Sequence, residues 1–173
     1  HTRVVYNGGA YGGFRGALTL SGGRQAGGGP YRIPHFRIDN YMMYTNTIPC
    51  GSYRAPGEPQ AVFAVESHTD MIAREMGIDP YAFRLMNVVQ EGEVSGTGQV
   101  FRHVRGEETL RKAAEAAGWE TPKPGPGFGR GIALGQRPQG RVVSIARVAV
   151  DAQGRVTLAS SVPDTGVGFY SVG

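Results

Sequence analysis

The sequence contains one cysteine, Cys50, in 173 residues. No internal disulfide can form, and a multi-cysteine metal centre is excluded. A reducing, cytoplasmic setting is the default expectation. Long apolar runs are also missing: nothing approaches the roughly 20 consecutive apolar residues a membrane-spanning helix needs. Clustered positive charge is missing too. The formal net charge is +4, yet Arg3, Arg15, Arg24, Arg32, Arg37, Arg54, Arg74 and Arg84 stand singly. Without a basic run or an aromatic-studded basic sheet, nucleic acid is not an expected partner. Spread positive charge suits anionic cofactors or substrates instead. His35, His68 and His103 lack metal-ligand spacing, so no protein-ligated metal is expected. The chain begins with His1 rather than Met and carries no charged-then-apolar leader. That is the pattern of a processed or cut chain.

What is present is glycine, 28 residues of it, in a chain that is 40% hydrophobic and 18% charged. This composition fits a folded domain with a core. Residues 3–6 read as a short strand. The tract 7–30 is too rich in glycine for a regular helix, at about 1 kcal/mol per Gly relative to Ala. It does not match GxGxxG cleanly, and no strand–loop–helix unit surrounds it, so a dinucleotide fold is rejected. Residues 36–47 (FRIDNYMMYTNT) read as a second strand, bounded by Pro34 and Pro49.

Residues 50–60 (CGSYRAPGEPQ) form a turn-rich connection into a strong helix, about 58–77. Val62, Val65, Thr69, Ile72 and Met76 fall on one stripe. Pro59 suits the first turn, Glu58 the positive helix end, and Gly77 the stop. Arg54 therefore precedes a helix N-terminus, where free backbone N–H groups favour an anion. A second helix, about 80–88, opens with Asp79 as N-cap and Pro80 at N1. Residues 88–105 read as loop. A third helix, about 107–118, turns Leu110, Ala113, Ala114 and Ala117 inward. Residues 120–131 (ETPKPGPGFGRG) read as a linker, which predicts units over 1–121 and 122–173. The last third predicts a hairpin turning at 151–155 with Gly154 at positive φ. Its expected core face is Val142, Ser144, Ala146, Val148 and Val150. A glycine loop follows at 164–173.

The order of these segments resembles the large, molybdenum-cofactor-binding subunit of the xanthine dehydrogenase and aldehyde oxidase family. Gly9-Ala10-Tyr11, Tyr31-Arg32-Ile33-Pro34 and Thr45-Asn46 match in sequence. So do the turn Gly51 to Gln60 and the run Gly77-Ile78-Asp79-Pro80 with Arg84 and Asn87. Asp151 to Gly168 completes the series. The resemblance covers nearly the whole chain and implies an α+β fold, a mixed sheet with packed helices.

It further implies part of a longer subunit. Arg54 would act catalytically at the substrate pocket. Tyr53, Arg54 and Ala55, with Asp164, Thr165, Gly166 and Gly168, would contact molybdopterin. The glutamate that serves as general base is expected beyond Gly173, so the 173 residues alone would be inactive. The intact enzyme would hydroxylate an aldehyde or N-heterocycle using water, with 2Fe-2S and FAD on partner domains or subunits. A binding module without the redox role is the alternative reading. Two departures from the family pattern lean that way. Ala55-Pro56 follows the arginine where Gly-Phe is common, and Val167 stands where a pterin-bonding glutamine is common. A cysteine used by some carbon monoxide dehydrogenases falls after the arginine, so carbon monoxide oxidation is not expected. Cys50 reads as a small buried thiol.

Overall fold

The structure is a computed structural model. It describes residues 1–11, 28–49, 51, 55, 57–95, 98, 100–136, 143, 145–162, 168 and 171. The chain divides into two compact units, His1–Arg137 and Pro138–Gly173.

In the first unit, strand β1 (Thr2–Asn7) pairs in parallel with β2 (Ile38–Met43), Thr2 opposite Ile38 and Asn7 opposite Met43. The second strand is shorter than its aromatic-rich stretch predicts. After Met43 the ladder gives way to crossing bonds: Thr45 N–H donates to Gly9 O at 3.1 Å and Ala10 N–H to Thr47 O at 2.9 Å.

Among the described residues three helices follow: α1 (Glu58–Glu75), α2 (Pro80–Asn87) and α3 (Gly106–Ala116). The inward face of α1 differs from the expected stripe. Its buried residues are Glu58, Ala61, Glu66, Thr69 and Ala73, while Ile72 and Met76 are exposed. Apolar periodicity misjudges this face because the helix turns a carboxylate, Glu66, toward a buried arginine on α2. In α3, Leu110 and Ala114 point inward as expected, but Ala113 and Ala117 face out. The core is Tyr31, Val88, Leu110 and Leu134, with Tyr81, Leu85 and Ile132 packed on it. Val88, Val89 and Phe101 are buried in the irregular stretch between α2 and α3, which carries isolated bridges Tyr31–Val88 and Val94–Val100. Among the described residues no helix is long and apolar enough to cross a membrane.

In the second unit, β3 (Ala146–Val150) and β4 (Val156–Ser160) form the expected antiparallel hairpin. Asp151 closes it. Its Oδ1 accepts the N–H groups of Gln153 and Arg155, each at 2.9 Å, and Oδ2 accepts Arg155 Nε at 2.6 Å. These bonds, the backbone one first, hold the Asp151 carboxyl below its usual value. Gly154 has φ 77°. The expected core face is a correction: Ala146, Val148 and Val150 are exposed, because a lone two-stranded hairpin has no second layer among the described residues of this unit. Val142 and Ser144 lie outside the described residues.

Candidate functional site

The turn that singles itself out in the sequence is described at its two ends. Cys50, Tyr53, Arg54 and Pro56 lie outside the described residues. On the far side, Ala55 has φ 44° and Gly57 has φ 77°, both left-handed. Glu58 N–H donates to Ala55 O at 3.0 Å, which closes a tight turn into α1. Glycine is at ease at φ 77°, whereas alanine at φ 44° carries strain. Ala55 thus stands strained where the family pattern commonly has glycine.

Helix α1 has no side-chain cap at Gly57. Pro59 in its first turn has no N–H to offer. Glu58 is buried in this first turn, 7% exposed. The positive helix end therefore already holds one carboxylate beside it.

The near side of the turn is fastened to the end of β1. Asn7 Oδ1 accepts Gly9 N–H at 3.0 Å, the Thr45 hydroxyl at 2.5 Å and the Thr47 hydroxyl at 3.3 Å. The two hydroxyl oxygens are 2.9 Å apart. Two protons serve these three oxygens, so the Thr47 proton is shared between Asn7 and Thr45. Gly9, at φ 71°, lies so close that a Cβ there would sit 2.4 Å from Ile48 O and 2.6 Å from Pro49 Cα. Sequence reasoning marked Thr45-Asn46 and Gly9-Ala10-Tyr11 as separate motifs. It missed Asn7 and Thr47, because contacts across about 40 positions leave no local periodicity.

The run from Asp79 to Asn87 is explained by packing. Asp79 Oδ1 accepts Tyr81 N–H at 2.9 Å and Ala82 N–H at 3.0 Å, and Trp119 Nε1–H donates to both carboxylate oxygens at 3.2 Å. Arg84 is fully buried. Its Nε donates to Glu66 Oε2 at 2.8 Å and its Nη1 to Asp70 Oδ1 at 2.7 Å. Glu66 Oε2 also accepts Leu134 N–H at 2.9 Å. Burial works against the Arg84 charge, but the bonds to Glu66 and Asp70 outweigh it and raise its pKa. Burial first, and the Glu66 charge second, push the Tyr31 phenol far above its usual value. The Tyr31 hydroxyl and Glu66 Oε1 are buried without a hydrogen-bond partner among the described residues. Asn87 Nδ2 donates to Phe83 O at 2.8 Å and secures the end of α2. This cluster brackets α1, α2 and the 131–136 segment; it is scaffold.

In the second unit Gly168 has φ 79° and its carbonyl accepts Ser171 N–H at 2.9 Å. Asp164, Thr165, Gly166 and Val167 lie outside the described residues. Among the described residues, no group of three His, Cys, Asp or Glu side chains could hold a metal ion.

The start of α1 is poor in spare donors for a pterin cofactor: Glu58 N–H is given to Ala55 O, Pro59 has none and Ala61 N–H goes to Gly57 O, which leaves Gln60 as the first-turn N–H to consider. The buried Glu58 disfavours a second full anion there, so this end suits a neutral ring edge better than a phosphate.

Comparison with known proteins agrees with the order of motifs. Residues 1–88 match the family described as Molybdopterin cofactor-binding domain. The nicotinate dehydrogenase large molybdopterin subunit of Eubacterium barkeri is 40% identical over 90 residues, 51% of this chain and 21% of that one. The molybdenum-binding subunit of an Escherichia coli (strain K12) aldehyde oxidoreductase is 34% identical over 145 residues, 79% of this chain and 20% of that one. The solved aldehyde oxidoreductase of Desulfovibrio gigas superposes with a TM-score of 0.73 at 28% identity, over 90% of this chain and 18% of that one. The chain therefore spans about a fifth of the length of these relatives. The α+β expectation holds as packed helices with small sheets. The chain belongs to the molybdopterin cofactor-binding domain family of the aldehyde oxidoreductases and xanthine dehydrogenases.

Proposed function

We propose that this chain forms one wall of the cofactor pocket in an enzyme that hydroxylates an aldehyde or an N-heterocycle, with water as the oxygen source. The observation that carries the reading is the turn before α1. Its described flanks are tied on both sides and left-handed at Ala55 and Gly57, and in sequence Tyr53 and Arg54 come just before a helix start without a side-chain cap. When bound, the molybdenum cofactor supplies the two-electron redox chemistry. The chain's residues bind and orient. Arg54 stays charged at any working pH and favours negative charge developing on a substrate oxygen or nitrogen. Tyr53 and Ala55 flank it against the pterin. In the second unit Asp164, Thr165, Gly166 and Gly168 meet the pterin through backbone groups, since Val167 has no side-chain donor. Electrons leave to 2Fe-2S and FAD centres on partner domains or subunits. The general base is supplied from elsewhere, so the 173 residues alone do not turn over.

The test uses the protein expressed from its complete gene. Metal analysis and pterin fluorescence should give both components at about one per chain. Arg54→Lys should then lower kcat/KM for an aldehyde about 100-fold while molybdenum content stays constant. A folded product without molybdenum or pterin would sink the reading. That outcome would favour the second reading, a binding module without redox chemistry, to which Val167 and the Ala55-Pro56 pair lean.

A further inference from the structure

We propose that residues 130–136 are a β-strand whose free edge is paired, in the whole protein, by a strand of the same polypeptide from outside these 173 residues. This goes beyond the functional reading above and does not depend on it.

Residues 128–136 run without a turn, a bend or a positive φ. Burial alternates along them. Arg130, Ile132, Leu134 and Gln136 are buried or half-buried, whereas Gly131, Ala133 and Gly135 are exposed. A period of two belongs to a strand. Leu134 is part of the core with Tyr31, Val88 and Leu110, and Ile132 packs on it. Side chains fasten the two ends. Arg130 donates to the carbonyls of Trp119 and Pro122, each at 3.3 Å, and Gln136 Nε2 donates to Gly29 O at 2.9 Å. In the middle, Leu134 N–H reaches Glu66 Oε2 at 2.9 Å. What this strand lacks is a neighbour: the backbone groups of Gly131, Ile132, Ala133 and Gly135 have no hydrogen-bond partner among the described residues. Consecutive residues of a strand present their N–H and C=O to opposite edges. Leu134 turns its N–H to α1, so Gly131, Ala133 and Gly135 present theirs to the other edge. Bare edges of folded proteins are guarded by charge, proline or a bulge. From Gly131 to Gln136 there is no charged residue and no proline. A Cβ at Gly131 would meet nothing within 4 Å, so room for a guarding side chain exists and is not used. An edge this open resists aggregation only when another strand covers it. A strand in cis does so at high effective concentration. The chain spans about a fifth of the length of its relatives, which leaves ample polypeptide to supply one.

Hydrogen exchange tests the pairing. In the protein expressed from its complete gene, exchange is followed amide by amide, by mass spectrometry with electron-transfer fragmentation. Ala133 and Gly135 N–H should exchange at least about 100-fold more slowly than Ile132 N–H, because only the outer edge is paired. Leu134, held by Glu66, should be slow as well. Fast exchange at Gly131, Ala133 and Gly135 overturns the proposal. So does equal slowing at Ile132, which would mean cover without pairing. Protection that grows as protein concentration is raised about 100-fold would make a second copy the occupant and overturn the assignment to the same polypeptide. Ala133→Pro removes the central donor and should speed exchange at Gly131 and Gly135 at least about tenfold, with Leu134 unchanged. Should that variant fail to fold, the alternation in the parent protein decides alone. None of these readouts needs bound cofactor. Failure here leaves the cofactor reading standing, and a protein without molybdenum leaves the strand pairing standing.

Discussion

Helices α1 and α2 lie four residues apart in the chain, yet they begin in opposite ways. Each backbone group at the start of α2 is accounted for. Pro80 has no N–H, Tyr81 and Ala82 donate to the Asp79 carboxylate, and Phe83 donates to the Asp79 carbonyl at 2.8 Å. Trp119 then covers the same carboxylate with its indole N–H. At the start of α1 the cap position is a left-handed glycine, no side chain closes the helix, and the preceding alanine is strained. Stability alone would favour the first design at both places. The second leaves α1 with the weaker local start.

Three substitutions would break or sharpen that contrast. The largest effect belongs to the bracket joining the two helices. Arg84→Met leaves Glu66 buried without its cation and should cost about 3–5 kcal/mol. Urea unfolding followed by Trp119, the one tryptophan of the chain, reads this. Adding Glu66→Gln should recover part of the loss; no recovery would show that shape, not charge, makes the bracket. Next is the sealed start. Asp79→Ala removes two cap bonds and the Trp119 contact, and should cost about 1–2 kcal/mol with a shift in Trp119 emission. A neutral result would mean that α2 does not depend on its cap. The smallest effect is at the open start. Ala55→Gly relieves a left-handed alanine and should stabilise by about 0.5–1 kcal/mol, net of the added freedom of the unfolded chain. A destabilised Ala55→Gly would show that the corner is not strained.

Elements with local signals were legible. Asp79-Pro80 announced the start of α2, Gly154 the hairpin, and Pro59 the first turn of α1, because caps and turns are encoded within a few residues. The order of motifs also pointed to the family that residues 1–88 match. What escaped was set at long range. The inward face of α1 was misread because Glu66 and Arg84, 18 positions apart, override apolar periodicity. The outward turn of Val148 and Val150 was misread because alternation cannot say whether a second layer covers a sheet. Asn7 carried no mark at all, since its partners Thr45 and Thr47 are a strand and a glycine-rich tract away.

The parallel pairing of β1 with β2 also sets an order of assembly. Helices close through contacts within one turn, and Arg84 reaches Asp70 and Glu66 across 14 and 18 positions. The Asn7 contacts with Thr45 and Thr47 span 38 and 40. Loop closure grows costlier with span, by about 0.6 kcal/mol per doubling, and long-range strand pairing is slow. The helical half can therefore fold before the strand pair has found its register. A chain caught between those two events is helical by far-ultraviolet dichroism, with Asn7 not yet bonded to Thr45 and Thr47.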